Sequence, residues 1–286
     1  MSARTWAESK DAYRLHLITS GCAITTSRRY SITLNLFERW CEGQRTTASK
    51  ANSLQVHHWI AARFRDWTPA TAQQSICTLR SFYRWLIATG RRHDDPTAGL
   101  KLRPLRHEPH RPYTITELRA LLAATENDPP RALRDRAMVL LFIGGGLRLS
   151  ELAGMRTDDI DWEGGCILLH GKGAKERWIA PGDAAMTLLY EYLNGQAGPV
   201  WGIGIAAIEA MIHRLERRAS LGRIHPHGFR HTFAISFLEE SRDLDALRII
   251  LGHETLKQAG EYAAYTAQAR ALDQQRRLNL GDRLTA

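Results

Sequence analysis

A proline-rich basic stretch divides this 286-residue chain into two parts. Residues 91–113 contain four prolines interleaved with six Lys or Arg side chains. Each proline fixes its own φ and pushes the preceding residue away from helical geometry, so a continuous helix cannot pass through the stretch. We therefore predict an extended basic linker at 91–113, which separates a first domain at 1–90 from a second domain that begins at residue 114.

The first domain has the periodicity of helices and no strand pattern. Three helices are predicted, at about 4–19, 26–42 and 52–64. A fourth begins after Thr68, which can cap it, with Pro69 at the first helical position. Apolar residues recur along this fourth helix at helical spacing: Ile76, Leu79, Phe82, Tyr83, Leu86 and Ile87. Such a stripe is a packing face, so we predict a small four-helix unit.

The surplus positive charge of the chain is confined to its first two-fifths. Residues 1–111 carry 18 Lys or Arg and 8 Asp or Glu, a net of +10, within a whole-chain charge of +9. Residues 112–286 carry 21 and 22, a net of −1. This asymmetry favours a polyanionic partner such as nucleic acid. A merely solvated basic surface is the alternative interpretation.

The second domain changes from helical to alternating periodicity and back again. Its start, Thr114–Glu117, has the pattern of a capping box. Two short β-like runs, Cys166–His170 and Arg177–Ala180, flank a turn with lysines at its tip, which predicts a β-hairpin. Helices are predicted at about 130–143, 149–155, 183–194, 204–220, 227–240, 243–250, 255–263 and 266–277. The expected fold class is therefore mainly α, with a small β-hairpin or sheet in the second domain.

Arg148 ends an otherwise apolar element, directly after the glycines at 144–146 and Leu147. An arginine in such a place is costly to bury unless an anion accompanies it. Glu151, three residues later, is one possible anion, and a simple ion pair is one interpretation. A phosphate held by Arg148 is the other.

His227, Arg230 and His231 share one face if the segment is helical, because they stand at positions i, i+3 and i+4. An arginine can fork onto two phosphate oxygens while a histidine moves a proton. A satisfied surface cluster is the first alternative, and a zinc site that includes the nearby His225 is the second. The segment lacks the glutamate of HExxH, and no Cys or carboxylate has matching spacing, so we predict no metal.

Two further candidates are Lys172, between two glycines at the hairpin tip, and Tyr262, nine residues after His253. A lysine at a tip is commonly just solvated, and a tyrosine near the end of a chain commonly just packs. The functional interpretations are a mobile proton donor and a nucleophile. Lys175 and Tyr265 lie close by and compete for the same two assignments.

In order, these elements read G-L-R-x-S-E, a hairpin with G-K-G, H-x-x-R-H, L-G-H and a later tyrosine. This order resembles the tyrosine recombinase (phage integrase) family, either a simple two-domain integrase or a Xer-like recombinase. The resemblance covers 112–265 by motif and 1–111 by architecture. It implies a helical core-binding DNA-binding domain at 1–90 and a mixed α/β catalytic domain at 114–265. It also implies a C-terminal tail, 266–286, that can be exchanged between protomers.

The resemblance assigns a role to each motif residue. The six implied catalytic residues are Arg148, Lys172, His227, Arg230, His253 and Tyr262. Tyr262 would be the nucleophile, His227 its proton acceptor and Lys172 the donor to the leaving oxygen. Glu151 and His231 would be supporting residues.

The implied activity is site-specific recombination, in which DNA is cut and rejoined through a 3′-phosphotyrosyl intermediate and a Holliday junction. The implied partners are double-stranded DNA core sites, the chain itself as a tetramer on DNA and an accessory directionality factor, with no cofactor, metal or membrane. We expect integration or excision of a phage or mobile element. The alternatives are a Xer-type recombinase that resolves chromosome or plasmid dimers and, from another class, a catalytically inactive sequence-specific DNA-binding protein. The charged N-terminal sequence has no apolar signal core, so we expect a cytoplasmic protein.

Overall fold

The N-terminal part of the chain folds into the four helices that its periodicity predicts. The computed structural model describes residues 3–63, 66–101, 111–171 and 176–277. The first four helices are α1 (Ala3–Thr19), α2 (Ile24–Gly43), α3 (Ser53–Arg63) and α4 (Pro69–Ala88). Thr68 caps α4, because its side chain accepts a hydrogen bond from the Thr71 amide at 3.3 Å.

Aromatic side chains fill the core of this unit. The ring of Trp6 meets Phe82 edge-on with centroids 5.0 Å apart, and Phe37 meets Trp59 in the same way at 5.1 Å. All four are buried. Edge-to-face pairs add to the stabilisation from buried area, so a small helical unit gains a well-packed core from few residues.

The chain after α4 stays against this unit. The guanidinium of Arg92 donates to the carbonyls of Ser49 at 2.9 Å and Ala51 at 2.8 Å, and Arg80 donates to the carbonyl of Leu100. The part of the predicted linker before residue 102 therefore packs on the helices. The two compact units of the chain divide between residues 107 and 108, within a stretch, 102–110, that lies outside the described residues.

The C-terminal unit contains helices around a small sheet. Its helices are α5 (Ile115–Thr125), α6 (Pro129–Gly145), α7 (Leu149–Ala153), α8 (Asp183–Leu193), α9 (Ile205–Arg218), α10 (Pro226–Ser241), α11 (Leu244–Leu251) and α12 (Leu256–Arg277). Its strands are β1 (Ile160–Asp161), β2 (Cys166–His170) and β3 (Glu176–Ile179). They pair antiparallel in the order β1-β2-β3, with Ile167 opposite Ile179. The predicted fold class is confirmed: the described residues are mainly helical, with a small antiparallel sheet.

The end of the chain differs from the prediction. Two helices were expected, at 255–263 and 266–277, but α12 is one continuous helix over Leu256–Arg277. The sequence after residue 260 contains neither Gly nor Pro up to residue 277, so nothing interrupts the backbone hydrogen bonds. Thr266 stays in the helix with its hydroxyl donating to the carbonyl of Ala263 at 3.1 Å.

Buried ion pairs accompany the apolar core of the C-terminal unit. Asp135 on α6 is almost fully buried, and its carboxylate accepts hydrogen bonds from Arg134 and from Arg214 on α9. Phe142 of α6 stacks on Phe229 of α10 with ring centroids 5.4 Å apart. The pair with Arg214 holds α6 against α9, and the aromatic stack holds it against α10, the helix that carries the histidine and arginine motif. Within the described ranges, no helix is long and apolar enough to cross a bilayer.

Candidate active site

A glycine turn presents Arg148. Helix α6 ends at Gly145, and Gly146 follows in the left-handed conformation with φ 58°. A Cβ at Gly144 would lie 2.1 Å from the Pro181 carbonyl oxygen, so a residue with a side chain does not fit at position 144. The reversal places Arg148 at the N-cap of α7, with 40% of its side chain exposed.

Glu151 is the buried anion beside Arg148. Its Oε2 accepts the Arg148 amide at 2.8 Å, and its Oε1 accepts the Arg148 guanidinium at 2.7 Å. Burial raises the pKa of the Glu151 carboxyl, but hydrogen bonds from Arg177 and Arg148 outweigh burial and lower it to about 2. The predicted ion pair therefore exists, and it leaves Arg148 partly open to solvent.

Arg177 is a site residue that the sequence reasoning missed. It lies on β3 and donates to both oxygens of Glu151, at 2.7 and 2.8 Å. Its Nε donates to the carbonyl of Ile250 at 2.6 Å. The alternation of side chains along a strand could have revealed it, because neighbouring residues face opposite sides. Glu176 and Trp178 are exposed, and Arg177 between them faces inward.

Helix α10 begins at a tightly packed N-terminus. His225 caps the helix, with its Nδ1 accepting the Gly228 amide at 2.9 Å. A Cβ at Gly228 would lie 2.0 Å from the Tyr113 hydroxyl, so this position also requires glycine. The Tyr113 amide donates to Thr232 at 2.8 Å, which fixes the start of the unit on α10. His225, the third histidine of the rival zinc interpretation, thus serves as a helix cap.

Arg230 is buried at the meeting point of two helix ends. Only 2% of the residue is exposed. Its Nη1 donates to the carbonyl of Gly146 after α6, at 2.9 Å, and its Nη2 to the carbonyl of Leu251 at the end of α11, at 2.6 Å. Helix C-termini carry partial negative charge, so they stabilise a buried cation. Burial and the charge of Arg148 lower the pKa of Arg230 to about 10, which leaves it charged at neutral pH.

The other two residues of this motif lie at different depths. His227 is exposed on the first turn of α10, whereas His231 is partly buried. The ring of His231 lies between two tyrosines, with centroids 5.2 Å from Tyr262 and 6.0 Å from Tyr265. The predicted helical face therefore runs from solvent at His227 to the interior at Arg230.

His253 follows the left-handed cap of α11. Gly252 has φ 63°, and a Cβ there would lie 3.0 Å from the Arg177 side chain. Burial, together with the charges of Arg230 and Arg148, lowers the pKa of His253 to about 4. At neutral pH the imidazole is uncharged, so it can position a ligand by a hydrogen bond.

Tyr262 lies on α12 against these cations, and only 7% of it is exposed. Its ring stacks on the ring of His253, with centroids 6.2 Å apart. Burial raises the pKa of the phenol, while the charges of Arg230 and Arg148 act in the opposite direction. Tyr265, one turn later, also packs beside His231, but it lies within electrostatic range of Arg111. The structure thus distinguishes the two tyrosines by their surroundings.

The hairpin tip, 172–175, lies outside the described residues, and with it the predicted site residue Lys172 and its competitor Lys175. The other predicted residues converge on one surface: Arg148, Glu151, Arg230, His253 and Tyr262, with His227 and His231 at its edge. Within the described ranges, no three His, Cys, Asp or Glu side chains are grouped as metal ligands.

Both parts of the chain match known protein families. Residues 113–269 match the phage integrase family, and residues 11–90 match the phage integrase N-terminal SAM-like domain.

The chain belongs to the phage integrase family.

It is a tyrosine-type site-specific recombinase, and its relatives carry that name. The chain is 33% identical to tyrosine recombinase XerC of Xylella fastidiosa (strain M23) over 219 residues, which cover 70% of this chain and 71% of that protein. It is 29% identical to tyrosine recombinase XerD of Xanthomonas axonopodis pv. citri (strain 306), over 93% of this chain and 91% of that protein.

Solved structures share the fold. A lambda integrase (75–356) dimer bound to a COC′ core site superposes with a TM-score of 0.75 at 17% identity, covering 92% of this chain and 95% of that chain. The XerH recombinase bound to a palindromic difH substrate, a post-cleavage complex, superposes with a TM-score of 0.72 at 17% identity, covering 96% and 84%.

Proposed function

We propose that this recombinase cuts duplex DNA by attack of the Tyr262 hydroxyl on a phosphodiester held by Arg148 and Arg230. One observation carries the assignment: the buried Tyr262 ring stacks on the ring of His253, with centroids 6.2 Å apart, where the charges of Arg230 and Arg148 act on its phenol. A nucleophile beside the cations that bind its target is the arrangement that phosphoryl transfer requires.

The charge of the site suits the transition state. Arg148, Arg177 and Arg230 contribute three positive charges, and Glu151 contributes one negative charge. The surplus of two positive charges matches a pentavalent phosphorus that gains a second negative charge as the nucleophile attacks. Arg148 is the most exposed of the three guanidiniums and can turn toward a nonbridging oxygen. Side-chain cations supply the charge neutralisation, so the proposed reaction uses neither metal nor cofactor.

The proton transfers complete the proposed reaction. The Tyr262 oxygen forms a bond to phosphorus as the bond from phosphorus to the 5′ oxygen breaks, which leaves a 3′-phosphotyrosyl link and a 5′-hydroxyl. His227 accepts the phenol proton, a role that the family resemblance implies. The lowered pKa of His253, about 4, makes that imidazole a weak base. Lys172 donates a proton to the 5′ oxygen, a role that rests on the family resemblance. Rejoining is the reverse of these steps with a new 5′-hydroxyl.

The proposed partners are double-stranded core sites and three further copies of the chain. The net charge of +10 in residues 1–111 supports phosphate contacts by the N-terminal unit. A related fold, that of lambda integrase, has been solved as a tetramer bound to a Holliday junction, at 16% identity. We also propose that segment 266–286 is exchanged between protomers. Because α12 carries both Tyr262 and the start of that segment, exchange would act directly on the nucleophile.

The proposed biological role is integration or excision of a mobile element. One observation favours the second candidate, resolution of chromosome or plasmid dimers: the relatives named above are XerC and XerD recombinases. The two roles share the same chemistry and differ in the DNA site. Plasmids that carry paired attachment sites or paired dimer-resolution sites from the host separate them, since only the true pair should recombine.

A two-site plasmid assay tests the activity itself. Wild-type protein should convert a supercoiled plasmid with two core sites into the deletion or inversion product, and Tyr262→Phe should give none. Relaxation without recombination would indicate a type IB topoisomerase instead. Retardation of the DNA without any cleavage by wild-type protein would identify a DNA-binding protein and contradict the proposal.

A further inference from the structure

Arg177 joins three parts of the site at once. Its side chain is 8% exposed and lies on β3, directly after the hairpin tip. Two of its nitrogens bind Glu151, and the third binds the carbonyl of Ile250 at the end of α11. Its stem also packs against Gly252, the residue before His253. One guanidinium therefore connects the strand, the carboxylate beside Arg148 and the loop of His253.

The bonds to Glu151 determine how Arg148 is held. Each oxygen of the carboxylate accepts one bond from Arg148 and one from Arg177. With both oxygens engaged twice, the carboxylate cannot rotate. Without Arg177, both oxygens of Glu151 could accept hydrogen bonds from the Arg148 guanidinium, which would draw that cation away from a phosphate.

The hydrogen bond from Arg177 to the carbonyl of Ile250 fixes the end of α11. Arg177 donates to the carbonyl of Ile250, and Arg230 donates to the next carbonyl, that of Leu251. Both arginines therefore bind the C-terminal end of α11. His253 follows two residues later. A shift of β3 would therefore be transmitted to His253.

We propose that Arg177 is a positioning residue for DNA cleavage: it holds Glu151, and through Glu151 the guanidinium of Arg148, in the geometry that binds the phosphate. The inference rests on the proposed function, since it needs Arg148 to neutralise a nonbridging oxygen. Arg177 does not itself touch the DNA in this account. A lysine could not replace it, because an ammonium has no planar fork to span two carboxylate oxygens and a third acceptor.

Two substrates distinguish positioning from simple stabilisation. The full-length protein is given nicked suicide substrates, one with a normal phosphodiester and one with an uncharged methylphosphonate at the cleaved position, and single-turnover cleavage is measured at saturating protein. Arg177→Lys should cleave the normal substrate about 100-fold more slowly, the loss expected for a misplaced reacting group. On the methylphosphonate the defect should shrink to severalfold, because no nonbridging charge needs Arg148. The double variant Arg148→Ala/Arg177→Lys should be no slower than Arg148→Ala.

Arg214→Lys is the matched control, because Arg214 also binds a buried carboxylate, Asp135, on another face of the unit. It should lower the melting temperature but leave cleavage at 25 °C within about twofold of wild type. If Arg177→Lys does not fold, Glu151→Gln tests the same connection and should show the same difference between substrates.

Equal loss on both substrates, or cleavage by Arg177→Lys within threefold of wild type, would overturn the inference. Tyr262→Phe is measured in parallel on the normal substrate. Covalent product in that variant would overturn the proposed function, and this result is separate from the comparison of Arg177 variants.

Discussion

The two units of this recombinase differ in the surroundings of their basic residues. In the N-terminal unit, Arg80 and Arg92 bind backbone carbonyls, but a larger set of basic side chains lies exposed around an aromatic core: Arg14, Arg28, Arg29, Arg39, Arg45, Lys50 and Arg84. In the C-terminal unit, Arg177, Arg214 and Arg230 are turned inward, onto carboxylates and helix carbonyls. In the proposed mechanism, exposed charge attracts DNA, whereas the buried and oriented charge of the site acts on one phosphate.

The sharpest contrast is between a buried and an exposed arginine. Arg230→Ala removes a proposed phosphate ligand and a positive charge beside Tyr262, and it takes the guanidinium donor away from the carbonyls of Gly146 and Leu251. We expect single-turnover cleavage to fall by about a thousandfold, the upper end for loss of one transition-state donor. The exposed Arg29→Ala should cleave at the wild-type rate when DNA is saturating. A similar cleavage defect in both variants would remove the distinction between the units.

Stability should show the same contrast. Asp135→Ala leaves Arg214 and Arg134 without their buried carboxylate, so the C-terminal unit should lose about 3–5 kcal/mol of unfolding free energy. Denaturant unfolding followed by tryptophan fluorescence measures this loss. The exposed pair of Arg136 and Glu126 provides the control, and Glu126→Ala should cost less than about 1 kcal/mol. Equal costs would show that the inward ion pairs are not structural.

DNA affinity should depend on the N-terminal unit. Arg28→Gln combined with Arg29→Gln should reduce the slope of log affinity against log salt by about 2, or about 0.9 for each lost phosphate contact. Fluorescence anisotropy with a core-site duplex at several salt concentrations gives the slope. Arg136→Gln, whose charge is already paired with Glu126, should change it little. An unchanged slope in the double variant would place the phosphate contacts elsewhere.

The smallest effect concerns pH. The folded-state pKa of His253 is lowered to about 4 from an ordinary value near 6.5. The unfolded chain therefore binds a proton first as pH falls, and this group destabilises the fold between about pH 6.5 and 4. The pKa of Glu151 is also lowered, to about 2, so its effect has the same direction at lower pH: its stabilisation is present above about pH 4.5 and is lost toward pH 2. The melting temperature of His253→Asn should therefore fall less between pH 7 and pH 5 than that of the wild-type protein. An identical loss would show that His253 is not the group responsible.

The sequence predicts those parts of the molecule that short motifs encode. Thr68 and Thr114 act as caps, and Arg148, His253 and Tyr262 meet in one site, because each lies in a local pattern with few alternatives. Arg177 is different, since its partners lie 26 and 73 residues away and no local pattern joins them. Strand β1 has only two residues, too few for any periodicity.

The remaining differences also have physical causes. The prolines and charges of residues 91–101 predict an extended segment. In the structure, Arg92 donates hydrogen bonds to the backbone carbonyls of Ser49 and Ala51, so this segment packs on the helical unit. Helix α12 continues past Tyr262 because no residue there breaks it, although the spacing of apolar groups changes. The first outcome depends on tertiary packing, which local sequence does not specify.

The central claim is that the buried arginine cluster selects Tyr262 as the nucleophile. Wild-type protein can be trapped on a nicked suicide substrate, digested with nuclease and protease, and the peptide that carries the nucleotide sequenced by mass spectrometry. We predict the phosphotyrosyl link at Tyr262, beside Arg230, and none at Tyr265, beside His231. A nucleotide attached to Tyr265 would contradict the account, because that phenol lies away from the cations on which the proposed chemistry depends.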